Sequence, residues 1–318
     1  MQLNREELLR AYRSMATIRR FEERVQEEFS KGGIPGFVHL YAGQEASAVG
    51  VCQHLGPKDY IASTHRGHGH SIAKGCDVVG MMQELFGKEG GLCGGKGGSM
   101  HIADLSKGML GANGIVGGGP PLICGAALAA KTMKTGGVAI AFVGDGGSNQ
   151  GTTFESYNLA KVWNLPAIFI VEDNGYAEST ASKWSVGGSQ VGRGNGFGLP
   201  SMEVDGSDFF VVYEAAREAI DRARAGGGPT LLECRTYRHY GHSKADPAKY
   251  RPKAEVEHWL ARDPLPRARE RLLADGVAEH EIEAVEREVG ERIDAAVANA
   301  KAAPYPDPRD ERATEFAA

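Results

Sequence analysis

Between residues 138 and 174 two apolar runs follow one another, and each ends in polar residues. The first, 138–143, runs into Gly144-Asp145-Gly146-Gly147; the second, 167–171, runs into Glu172-Asp173-Asn174. A short, unbroken apolar run bounded by turn residues reads as a strand covered on both faces. The stretch 152–163 between them is long enough for a helix. A further helix is expected over 209–225 and a further strand over 230–234. Strand and helix alternating in this order predict parallel βαβ units, so the fold class is α/β with a mostly parallel sheet flanked by helices.

Helical extensions are expected at both ends. Asn4 can cap a first helix, with Glu7 three residues on as its partner. Leu8, Tyr12, Met15, Ile18, Phe21, Val25 and Phe29 then recur at helical spacing, and Gly32, Gly33 and Pro35 end the pattern. A second helix is expected over 44–54, and two charged helices over 265–274 and 279–300. With 318 residues the chain can bury roughly 75% of its unfolded surface. One domain over 1–302 and a flexible tail over 303–318 are expected.

The remaining composition mainly excludes. Glycine is in excess, 44 of 318 residues, about twice the ~7% average, and clusters in 87–119 and 187–198 as loops. Five scattered cysteines without a Cys-x-x-Cys pair argue against a disulfide frame or zinc ribbon. A net charge of −5 and no long basic run argue against nucleic acid. No apolar stretch approaches a membrane span. The N-terminus has no signal-peptide core, and Glu6, Glu7, Glu22 and Glu23 make it too acidic for a transit peptide. A cytoplasmic location is expected.

In an open parallel sheet, ligands bind beyond the carboxyl ends of the strands. Asp145 and Asn174 stand just past two successive strand ends, 29 residues apart, a separation that fits one helix and one strand. Their oxygens are therefore expected at one rim. Gly144, Gly146 and Gly147 allow backbone N–H groups to approach a phosphate at the start of the next helix. Magnesium takes one or two protein oxygens plus substrate phosphates, so the parts of a Mg²⁺-diphosphate site are present. The plainer reading of each motif alone is a tight turn.

Three histidines, His65, His68 and His70, surround Arg66 in "STHRGHGH". Taken as residue types, they fit a transition-metal site or a loop of satisfied histidines. "GGLCGGKG", near Gly90, almost spells a phosphate loop. Gly97 stands where Ser or Thr is required, and no strand is expected before it, so a nucleotide hydrolase is rejected.

GDG followed about thirty residues later by Asn is the thiamine diphosphate motif. "GDGGSNQGTTFESYNLA" with "NLPAIFIVEDNGYA" resembles the alpha subunit of the first component of acetoin and 2-oxo acid dehydrogenase complexes, a likeness running from about Tyr12 to Arg251. The resemblance implies the thiamine diphosphate-binding fold and the cofactors thiamine diphosphate and Mg²⁺. It makes Asp145, the Asn174 side chain and the Tyr176 backbone carbonyl the metal ligands. Gly146 and Gly147 then meet the diphosphate, with Arg66 as its chief contact and His65 as a further donor; a planar guanidinium suits that work. Gly114 and Val116 offer backbone contacts to the aminopyrimidine ring, and 120–130 otherwise reads as a buried helix of small residues. His39, in "GIPGFVHLYAGQEA", orients substrate, His68 lines the cavity, and His242, in "RHYGHSKADP", is the catalytic histidine of a mobile loop. Ser243 stands where some relatives are phosphorylated.

Two features qualify the resemblance. Many 2-oxo acid members carry an apolar wedge at the position of Glu178. "HRGHGH" and "NGYAEST" look like acetoin dehydrogenases, whereas "GHSKADP" looks like pyruvate-type enzymes; the balance favours acetoin, with pyruvate or a branched-chain 2-oxo acid as the alternative. In this family the glutamate that activates the cofactor lies on a separate beta chain. The implied assembly is two alpha and two beta chains, serving a lipoyl-bearing transacetylase. A non-catalytic cofactor-binding paralogue is the alternative of another class; retained Asp145, Asn174, Arg66, His39 and His242 argue against it.

Overall fold

A computed structural model of the chain describes residues 3–309. Helix α1 (Arg5–Ser30) starts behind a reciprocal cap. The Glu7 N–H donates to Asn4 Oδ1 at 3.0 Å, and the Asn4 N–H donates to the Glu7 carboxylate at 2.8 Å; such a cap contributes about 1 kcal/mol. Then follow α2 (Glu45–Cys52), β1 (Tyr60–Ala62), α3 (His68–Ala73), α4 (Val78–Leu85), β2 (Met109–Gly111), α5 (Gly119–Thr132), β3 (Ala139–Gly144), α6 (Gly151–Val162) and β4 (Ala167–Asp173). A small antiparallel hairpin, β5 (Tyr176–Ala177) and β6 (Thr180–Ala181), leads to α7 (Ser182–Ser185), α8 (Gln190–Gly196), β7 (Ser201–Asp205), α9 (Phe209–Arg224) and β8 (Thr230–Arg235). The chain closes with α10 (Lys253–Leu260), α11 (Pro264–Ala274) and α12 (Glu279–Ala302).

Six strands form one sheet in the order β2-β1-β3-β4-β8-β7, and every pairing is parallel. The expected unbroken apolar strands are its centre, and side-chain alternation divides them between two cores. Ile140, Phe142, Ile168 and Ile170 belong to the core that also holds the buried faces of α1, α2, α9 and α12, whereas Ala139, Ala141, Phe169 and Val171 belong to a second core with Ile123 and Ala127 of α5 and Tyr157 and Ala160 of α6. Helices on both faces leave the strand ends as the place where the sheet is open to a ligand.

Arg19 ties α1 to two other helices, pairing with Glu45 at 2.7 Å and with Asp263, the cap of α11, at 2.9 Å. The extensions are thereby anchored to the body of the fold. Among the described residues no helix is long and apolar enough to cross a membrane.

Several details depart from the sequence reading. The polar residues Glu172 and Asp173 belong to β4 itself, because the ladder with β8 continues through Asp173↔Arg235. The run 120–130 is a helix, but only half of it is buried: Leu122 and Leu128 of α5 are exposed. Just past α12, the Glu89 N–H donates to the Pro304 carbonyl at 3.1 Å, and the Lys88 ammonium lies 3.6 Å over the Tyr305 ring. From 310 onward the expected flexible tail lies outside the described residues.

Candidate active site

The carboxyl ends of β1, β3 and β4, and the segment that follows β8, converge on one cavity of about 310 Å³. Its wall contains Asp145, Gly146, Gly147, Asn174, Tyr176, His65, Arg66, Val116 and His242, all expected there, together with Ser63, Phe142, Glu178 and Arg238.

Asp145 is buried, and its Oδ2 has no hydrogen-bond partner among the described residues. Burial, then the nearby Asp173, pushes its carboxyl up to about 7. An orphaned buried carboxylate oxygen is costly unless something positive meets it. Asn174 donates from Nδ2 to Gln44 at 3.3 Å, which orients its amide. Gly146 and Gly147 allow no side chain: a Cβ there would stand 2.6 Å from Ala177 and 2.7 Å from Val143.

Two guanidiniums complete the electrostatics. Arg66 donates to the Leu40 carbonyl at 2.8 Å and to the His242 carbonyl; burial, then Arg238, lowers its pKa to about 9. Arg238, only 1% exposed, donates to the Glu178 carbonyl at 3.1 Å and the Tyr250 hydroxyl at 3.2 Å. No carboxylate pairs with either among the described residues, so the cavity holds uncompensated positive charge beside an orphaned oxygen. The guanidiniums suit a polyphosphate, and the orphaned oxygen would suit a cation accompanying it. Sequence reading missed Arg238. It stands three residues past β8, and a survey of every strand end would have found it.

The histidines divide into two groups. His39, His65 and His242 come together, with ring centroids 4.7 to 5.5 Å apart. Burial, then the Arg66 charge, lowers them to about 3, about 2 and about 4 respectively. All three are therefore neutral at pH 7, and His39 Nδ1 and His65 Nε2 lack partners among the described residues. His68 and His70 instead turn away from the cavity. His68, expected in its wall, is fully buried, 3.1 Å from Glu22 and 3.0 Å from Ser99. His70 bridges Ser63 at 2.7 Å and Glu172 at 3.2 Å. Gly114 faces His101 and is outside the wall, although its neighbours Asn113 and Ile115 belong to it.

The trio 65, 68 and 70 is thus no metal site. The trio that does form, with candidate nitrogens within 4.8 Å of one another, is a poor one. His242 Nδ1 faces the Arg66 and Arg238 guanidiniums at 3.3 and 3.4 Å, so it accepts and Nε2 carries the proton. Two guanidiniums beside it also repel a dication.

The His242 loop is folded around Asp246, which accepts from the His242 N–H at 2.6 Å, the Tyr250 hydroxyl at 2.7 Å and the Ala248 N–H at 2.8 Å. The near-phosphate loop is a different structure. Its Cys93, Gly95, Gly97 and Gly98 N–H groups close on the buried Glu84 carboxylate at 2.7 to 3.0 Å. A nest of N–H groups that elsewhere cradles phosphate is here filled by the chain's own carboxylate.

The family described as dehydrogenase E1 component matches residues 13–309. The alpha subunit of acetoin:2,6-dichlorophenolindophenol oxidoreductase from Cupriavidus necator is 58% identical over 311 residues, covering 97% of this chain and 93% of that protein. The Bacillus subtilis protein of the same name is 54% identical over 308 residues, covering 96% and 92%. The pyruvate dehydrogenase E1 component subunit alpha of Zymomonas mobilis is 44% identical over 306 residues, covering 95% and 86%. A match over nearly the whole chain, on a parallel sheet whose strand ends gather an orphaned carboxylate and two buried guanidiniums, places this chain in the dehydrogenase E1 component family.

Proposed function

We propose that this chain is the alpha subunit of a thiamine diphosphate-dependent acetoin dehydrogenase component. The observation that carries the site assignment is the orphaned Asp145 oxygen facing a cavity with two buried, carboxylate-free guanidiniums. Asp145, the Asn174 side chain and the Tyr176 carbonyl hold Mg²⁺. Arg66 and Arg238, with His65 and the N–H groups of Gly146 and Gly147, hold the diphosphate. Acetoin is favoured over pyruvate because the relatives named for acetoin are 58% and 54% identical, against 44% for the one named for pyruvate.

Thiamine diphosphate, when bound, supplies the carbanion that adds to a carbonyl carbon and the sink for the bond that then breaks. The chain positions and polarises. Neutral His39 offers a hydrogen bond to a carbonyl oxygen, and His242 Nε2–H is the second donor. The glutamate that activates the cofactor comes from a beta chain, in an assembly of two alpha and two beta chains. The acyl unit then passes to a lipoyl group on a transacetylase, in the cytoplasm.

The test uses this chain co-expressed with its beta partner, thiamine diphosphate and Mg²⁺, following reduction of an artificial electron acceptor. Turnover with acetoin and little with pyruvate is expected; the reverse overturns the substrate assignment. Asp145→Ala should abolish Mg²⁺-dependent cofactor binding, and unchanged affinity by calorimetry refutes the metal assignment.

A further inference from the structure

Glu178 begins the two-residue link of the β5–β6 hairpin, in the cavity wall. Its φ is +53°, a left-handed conformation that favours glycine or asparagine at this turn position. A side chain there is strained. The strained backbone is held from inside, because the Glu178 carbonyl accepts from Arg238 at 3.1 Å. Its side chain is exposed and has no hydrogen-bond or ion-pair partner among the described residues. The fold thus fixes the backbone of a free carboxylate at the edge of the reaction space, at some expense.

We propose that Glu178 is the base that takes the hydroxyl proton of a neutral 2-hydroxy ketone during cleavage, and so selects such substrates over 2-oxo acids. The inference rests on the acetoin reading of this cavity. Once the carbonyl carbon of acetoin has been attacked, the bond between it and the carbinol carbon breaks, and the electron pair stays with the former carbonyl carbon, stabilised by the cofactor. The carbinol carbon becomes the carbonyl carbon of acetaldehyde. The O–H electron pair becomes the second C–O bond, and the proton leaves to the Glu178 carboxylate. A 2-oxo acid instead loses CO₂ from a carboxylate that has no proton to give, so it needs no such base. It also brings a negative charge towards Glu178.

The histidines are badly placed for this task. A proton on His242 would create a third positive charge beside Arg66 and Arg238, whose guanidiniums stand 3.3 and 3.4 Å from its Nδ1. A proton on a carboxylate removes a charge instead.

The experiment compares wild type, Glu178→Gln and Glu178→Asp in the assembled alpha–beta complex, with acetoin and with pyruvate, and measures cofactor Kd by calorimetry. Glu178→Gln should lose about 100-fold or more in kcat on acetoin, the scale of a lost general base. Cofactor Kd should be unaffected, any pyruvate turnover should hold or rise because the opposing charge is gone, and Glu178→Asp should recover part of the acetoin loss. Acetoin kcat within about threefold of wild type, or a loss matched by an equal loss of cofactor affinity, overturns the role of Glu178 and leaves the acetoin reading standing. A wild-type complex that turns over pyruvate and not acetoin overturns both.

Discussion

A buried guanidinium without a carboxylate destabilises the ligand-free chain, because its desolvation is offset only by neutral acceptors. Arg238 is in that position, held by a carbonyl and a phenol. Replacing it with methionine should keep or raise the melting temperature of the ligand-free complex. Cofactor affinity should fall by about 10-fold or more, since hydrogen bonds to charged groups contribute ~1.5–3 kcal/mol, and the stabilisation gained from Mg²⁺ and thiamine diphosphate should shrink accordingly. Thermal melts with and without the cofactor check both signs; an undiminished gain refutes the role. Asp145 and Asn174 were legible in the sequence because strand ends and their spacing place them. Arg238 was legible only as a residue past a strand end; its burial was not, because that depends on the Glu178 turn, 60 residues away. The same holds for His68: its motif suggests the cavity, whereas pairing with Glu22 of α1 decides its direction.

Among the elements, long patterns were readable and short ones were not. α1 follows from helical spacing and β3 and β4 from unbroken apolar runs bounded by turn residues, whereas three-residue β1 and β2 carry too few side chains to show any pattern. The alternating, half-buried β7 is an edge strand, so its polar residues do not betray it. The glycine-rich loop after α4 misleads for a physical reason, since N–H groups arranged for an anion look alike in sequence whichever anion fills them. Glu84 fills this one, accepting four N–H groups. Glu84→Gln puts an amide NH₂ where only acceptors fit, and unsatisfied donors of this kind cost ~1–3 kcal/mol. A drop of several degrees in melting temperature is expected, with faster proteolysis between 88 and 101. A melting temperature and cleavage pattern like those of wild type count against the nest as the support of this loop.

For the whole molecule, the remaining question is what covers the exposed apolar side chains that run from the cavity lip along α5 and α6 to their far ends. Ile115, 73% exposed, and Val116 stand at its lip; Leu122, Leu128 and Met133 lie along or just beyond α5, and Val162 and Trp163 at the end of α6, which packs beside it. Large apolar residues gathered in this way mark an interface. The cofactor-activating glutamate expected on a beta chain must also reach the cavity from outside this chain. Both needs are met if the beta chain docks over α5 and the 113–118 loop. Leu128→Glu, remote from every proposed cofactor ligand, should then leave the circular dichroism of the isolated chain unchanged. It should abolish the two-plus-two assembly in sedimentation, and with it turnover. Trp163 emission should shift to the blue when the wild-type chains combine and stay fixed in the variant. Normal assembly of Leu128→Glu would place the beta chain elsewhere, with the cavity lip or another exposed apolar residue such as Trp184 as its seat.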